Sequence, residues 1–229
     1  MQLYEFEHLE DCENALLADL TLRLQSGDQH KIQALALAGG NTPKPLYQKM
    51  SQQAWDWERI LVTLTDERWV DRSHPDSNEA MLKQYLFHNR AQMAQFLSLK
   101  NSETTPEIGQ IRTAHLIKQN APSLDFVILG MGEDGHFASI FPDMENTQQL
   151  LDVHQTEPCL AARPEGKPAR LSLSLAYLLT AKHIYLFITG QAKRSLIKQQ
   201  INAESDNHLP IYTLLTQSRC PVSIYWSAA

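Results

Sequence analysis

No apolar stretch in this 229-residue chain approaches the roughly 18 to 20 residues that a bilayer-spanning helix needs. Cysteine is scarce, and Cys12, Cys159 and Cys220 stand too far apart for a zinc site or redox pair, which points to a reducing, cytoplasmic setting. Lysine and arginine form no run, and the net charge of -6 argues against nucleic acid or an anionic membrane as a partner. The opening MQLYEFEHLEDC holds four acidic side chains and no basic start before an apolar run, so neither a secretory nor a mitochondrial leader is expected. Internal repeats, low-complexity tracts and Gly/Ser- or Pro-rich linkers are absent too, and we expect one domain over 1–229.

Several catalytic signatures are also missing. Without G-x-S-x-G there is no serine-hydrolase elbow, and without H-E-x-x-H or similar spacing no metal-activated water is expected. The glycine-rich turn at 39–43 lacks the Gly-Lys-Ser/Thr ending of a Walker A loop.

What is present is alternation. Leu9, Leu16, Leu20 and Leu24 form a helical stripe over 8–26 that Gly27 stops, and the apolar run 33–38 then reads as a buried strand. Further helices are expected at 43–50, at 77–87 behind a cap at Asp76 or Ser77, at 106–119 from Pro106, and at 191–202. Strands are expected at 60–65, 95–99, 124–129, 183–189 and 221–226. Short, continuously apolar strands between amphipathic helices predict an α/β fold, doubly wound, with a mostly parallel sheet and helices on both faces.

Four polar segments fall at the carboxyl ends of these strands, where open α/β sheets hold their ligands. Gly39, Gly40, Asn41 and Thr42 lie between a strand and a helix, where backbone N–H groups suit an anion such as phosphate; the plainer alternative is an ordinary turn with Thr42 as the helix cap. Asp66, Glu67 and Arg68 follow ILVTLT, offering a carboxylate for proton chemistry and a guanidinium for a phosphate or oxyanion. Residues 130–135 match G-x-G-x-x-G, but Glu133 and Asp134 would repel a pyrophosphate and Pro142 interrupts the helix that should follow. The useful feature there is His136, on a glycine-flanked turn beside two carboxylates that could orient its ring as a general base. Arg170, before LSLSL, and Lys193, just after Gly190, are further cation candidates.

Taken together, LALAGGNTPKPLY at 35–47, TDERWV with DSN at 65–78, LGMGEDGHFASIFP at 129–142, RLSLSL at 170–175 and LFITGQAKR at 186–194 resemble the 6-phosphogluconolactonases. The resemblance runs in order over nearly the whole chain. It implies hydrolysis of 6-phosphogluconolactone in the oxidative pentose phosphate pathway, without cofactor or metal. It also implies His136 as general base, Asp66 and Arg68 beside it in catalysis, and Gly39, Gly40, Asn41, Thr42, Arg68, Arg170 and Lys193 against the phosphate and sugar. The implied partner is that small sugar phosphate alone, with the chain a monomer or weak dimer. RLSLSL departs from the threonines more usual in the family. The GGNTP block is shared with glucosamine-6-phosphate deaminases, which read D-G-H-x-A-F-N-E-P; this chain has Ala138-Ser139-Ile140-Phe141-Pro142 and lacks that acid, which favours plain hydrolysis. A deaminase or isomerase and a noncatalytic sugar-phosphate sensor domain are the rival readings.

Overall fold

In the computed structural model, which describes residues 1–28, 30–202 and 208–228, the continuous apolar runs are strands buried on both faces. The chain runs β1 (Gln2–Phe6), α1 (Leu9–Ser26), β2 (Gln33–Leu37), α2 (Lys44–Ser51), β3 (Ile60–Leu64), β4 (Asp66–Arg68), α3 (Asn78–Tyr85), β5 (Gln95–Leu97), α4 (Pro106–Asn120) and β6 (Phe126–Leu129). It continues with α5 (Thr147–Leu151), β7 (Cys159–Ala162), β8 (Arg170–Leu173), α6 (Leu175–Leu178), β9 (His183–Thr189), α7 (Gln191–Asn202), α8 (Pro210–Thr216) and β10 (Val222–Ser227). Every residue of β2, β3, β6 and β10 is buried, which explains why these strands read as unbroken apolar runs rather than as alternating ones.

The main sheet has the order β1-β10-β9-β6-β2-β3-β5, and all its pairings are parallel. From β2 the chain moves outward through β3 to β5, then returns to β6 on the other side and moves outward again through β9 and β10. Because parallel crossovers are right-handed, this reversal puts the helices of the two halves on opposite faces, and it opens a crevice beyond the carboxyl ends of β2 and β6. The expected doubly wound α/β fold is therefore the one adopted. The helix starts follow local chemistry: Ser77 caps α3 by accepting from the Ala80 N–H, and Pro106 occupies the first turn of α4.

Beyond the expected pattern the chain adds the short helices α5, α6 and α8 and two sheet features. β1 adds a parallel edge strand beside β10. A separate three-stranded antiparallel sheet, β4-β8-β7, rests against the carboxyl side of β3 through Thr65, whose N–H donates to the Leu37 carbonyl and whose carbonyl accepts from the Leu173 N–H. This small sheet carries Asp66, Arg68 and Arg170 to the crevice. Cys12, Cys159 and Cys220 are free and buried, and among the described residues no helix is long and apolar enough to cross a membrane.

Candidate active site

One cleft opens at the β2/β6 reversal, lined by the Gly39–Thr42 turn, Asp66 and Arg68, His136, Arg170 and Lys193, whereas Glu67 does not line it. They come from five separate segments of the chain.

The first wall is the turn after β2. Gly40 has φ +96°, a left-handed conformation that a side chain would strain. Pro43, not Thr42, stands at the N-cap of α2 and no side chain caps that helix, so the plainer reading of Thr42 as a cap does not hold. Asn41 instead accepts from Lys44 Nζ at 2.7 Å.

His136 forms the opposite wall. Its turn is closed by the Gly132 N–H donating to the His136 carbonyl at 2.9 Å and the Gly135 N–H donating to the Gly132 carbonyl at 3.1 Å. Of the two neighbouring acids, Asp134 is the one that engages the imidazole: its Oδ1 lies 2.5 Å from Nδ1 and accepts from the His136 N–H at 3.2 Å. With Nδ1 committed, Nε2 is the nitrogen free to take a proton. Phe141 stacks on the ring at 4.0 Å between centroids and 21° between planes, fixing the rotation that the Asp134 contact alone would permit. Gly132 is required by close approach, because a Cβ there would lie 2.2 Å from His136 Nδ1. Burial holds the imidazole below its ordinary pKa, opposed by the hydrogen bond and charge of Asp134 and, more weakly, by Asp66. Burial alone would raise the Asp134 carboxyl, but the His136 hydrogen bonds hold it below the usual range.

The floor comes from the small sheet. Asp66 is buried and accepts from Ser139 Oγ at 2.5 Å, with Arg170 Nη1 3.6 Å away. Arg68 and Arg170 are register partners across the β4–β8 pair, and the Nε atoms of both are buried with no protein acceptor. Burial weakens the hold of Arg170 on its proton, Asp66 strengthens it and Arg68 weakens it again. Like charges directly opposite in a ladder are destabilising unless something negative lies between them, so the geometry suits an anion. Between these arginines and Asp66, Glu67 turns the other way. Its carboxylate accepts from the N–H groups of Arg68, Asn78 and Glu79 and from Ser77 Oγ, tying β4 to the start of α3. Burial raises its pKa despite those four bonds.

Sequence reasoning missed four residues here. Asn78 lines the cleft and donates to the Asp66 carbonyl at 2.8 Å, a role foreshadowed only by the DSN block. Ser139, Phe141 and the left-handed Ala138, φ +48°, carried no signal that distinguished them from ordinary loop residues.

Comparison with known proteins agrees with this architecture. Residues 7–226 match the family model described as glucosamine-6-phosphate isomerases/6-phosphogluconolactonase. A 6-phosphogluconolactonase of Pseudomonas aeruginosa is 34% identical over 92% of this chain and 88% of its own length, and one of Helicobacter pylori is 34% identical over 99% and 98%. The crystal structure of a 6-phosphogluconolactonase from Shewanella baltica superposes with a TM-score of 0.94 at 33% identity, covering 100% of this chain and 98% of that one. With its fold, its cleft and nearly its whole length accounted for, the chain belongs to the glucosamine-6-phosphate isomerase/6-phosphogluconolactonase family.

Proposed function

We propose that the chain hydrolyses 6-phospho-D-glucono-1,5-lactone to 6-phosphogluconate, with His136 as general base. The observation that carries this reading is an imidazole pinned through Nδ1 by Asp134, with Nε2 left over, in the same cleft as two arginines that have unsatisfied guanidinium nitrogens.

In the reaction, Nε2 takes a proton from a water as its oxygen attacks the lactone carbonyl carbon. The resulting oxyanion is stabilised by a cation of the cleft or a backbone N–H, and Asp134 stabilises the imidazolium. Collapse of the tetrahedral intermediate breaks the bond to the ring oxygen, which recovers the proton from His136 and becomes a hydroxyl. General-base catalysis contributes about 10²–10⁴-fold. An oxyanion donor contributes about 10²–10³-fold. No covalent intermediate is needed.

The turn at Gly39, Gly40, Asn41 and Thr42, with Arg68, Arg170 and Lys193, holds the phosphate and sugar. Asp66 acts beside them as the counter-charge that keeps Arg170 in place. Freshly generated lactone, followed by pH-stat or by coupled oxidation of the product, tests the assignment: turnover far above spontaneous opening is expected. Ammonia released from glucosamine 6-phosphate at an enzymatic rate would overturn it in favour of a deaminase, and absence of turnover on both substrates would favour a sensor domain.

A further inference from the structure

We propose that Ser139 is a positioning residue that sets how far Arg170 reaches into the cleft. The side chain is fully buried, and its hydroxyl donates to Asp66 Oδ2 at 2.5 Å while accepting from Arg170 Nη1 at 3.3 Å. The nearest approach of Arg170 to Asp66 is 3.6 Å, beyond hydrogen-bonding distance, so the hydroxyl stands inside an ion pair that would otherwise close. Held in this way, the guanidinium satisfies Asp66 indirectly while Arg170 still lines the cleft, its Nε buried with no protein acceptor.

The backbone is built to deliver that hydroxyl. The Ser139 N–H donates to Ser172 Oγ at 3.1 Å, on the same strand as Arg170 and two residues further on. Ala138 adopts φ +48°, an uncommon conformation for a residue with a side chain, and thereby turns the chain from His136 on the cleft wall to Ser139 beneath it. Only two residues, Phe137 and Ala138, therefore link the proposed base to the support of the proposed anion arm. Removing the hydroxyl leaves Asp66 and Arg170 free to pair directly, which draws the guanidinium down and away from the ligand.

The identity of the ligand rests on the proposed function, but the anion-binding consequence does not. The test compares wild type, Ser139→Ala and the similarly sized Ser139→Cys, reading kcat and KM on the lactone, inhibition by inorganic phosphate, and protection by phosphate against thermal unfolding. Loss of one hydrogen bond to a charged group predicts that KM and the phosphate inhibition constant both weaken on the order of tenfold, with kcat within about twofold. In an Arg170→Gln background the Ser139→Ala change is expected to add nothing, because both act through one guanidinium. Unchanged phosphate affinity, a fall in kcat at constant KM, or full additivity with Arg170→Gln overturns the inference. Should Ser139→Ala fail to fold, Ser139→Cys decides. A wild type inactive on the lactone sinks the proposed function alone, since phosphate protection needs no turnover; a wild type that phosphate does not protect sinks this inference.

Discussion

Arg68 of β4 and Arg170 of β8 face each other as direct cross-strand partners, two positive charges on adjacent backbones with an unsatisfied buried Nε on each. A fold tolerates such a pair when an anion completes it. We therefore expect inorganic phosphate or 6-phosphogluconate to raise the melting temperature, by about 2.7 kcal/mol of stability at a hundred times Kd. Arg68→Gln should weaken substrate binding about 10- to 100-fold, the scale of a lost hydrogen bond to a charged group, while leaving the ligand-free protein as stable as wild type or more so. Calorimetry with and without phosphate reads both effects, and a ligand-free melting point lowered by several degrees would contradict the repulsion argument.

His136→Ala should reduce turnover at least about a hundredfold with the fold retained, as loss of a general base predicts. Because burial depresses the His136 pKa, kcat/KM should climb with pH through an apparent value below 6.5 and then level off as the imidazole becomes neutral. Asp134→Asn removes the group that opposes this depression, so the acidic limb should move to still lower pH while the rate falls about a hundredfold or more through loss of ring orientation. A limb moving upward in Asp134→Asn would refute the pairing.

Gly132→Ala offers a purely steric test of the same turn. Its new methyl would overlap His136 Nδ1, displacing the ring from Asp134, so activity should fall sharply with little change in far-UV circular dichroism. Wild-type turnover in this variant would show that the ring geometry is not required.

Away from the site, His183 donates to or accepts from Ser223 Oγ at 2.9 Å in the core, and burial, helped by Arg23, lowers its pKa to about 4. The unfolded chain, titrating near 6.5, binds this proton more readily than the folded one. Stability from the neutral imidazole is thus complete above about pH 6.5 and is lost as pH falls toward 4, on the order of 3 kcal/mol in all. His183→Gln should flatten urea-derived stability across that window, and an unaltered slope would rule His183 out as its source.

How far the sequence could be read depended on the range of the interactions involved. β2, β3, β6, β9 and β10 were legible because burial on both faces writes itself as an unbroken apolar run, and the four loops at their carboxyl ends followed from topology. β1 was not, since QLYEF is half exposed and, among the described residues, it pairs with β10 alone, more than two hundred positions away. The β4-β8-β7 sheet was hidden because Asp66-Glu67-Arg68 is a polar strand of three residues whose partner lies about a hundred positions away. Within that tripeptide nothing local separates Glu67, which serves the start of α3, from Asp66, which serves the cleft; alternation across the strand decides it. His136 and its acidic neighbours were visible as a cluster, whereas the choice of Asp134 over Glu133, and the stacking of Phe141, depend on the closed shape of the turn.

The placement of β10 between β9 and β1 also sets an order of events for the nascent chain. Among the described residues β1 pairs with β10 alone, so it stays unpaired until residues 222–227 have emerged. Pairings this distant close late and slowly. Removing residues 222–227 would unseat β1 along with β10, so a deletion there should be felt as a defect at residues 2–6.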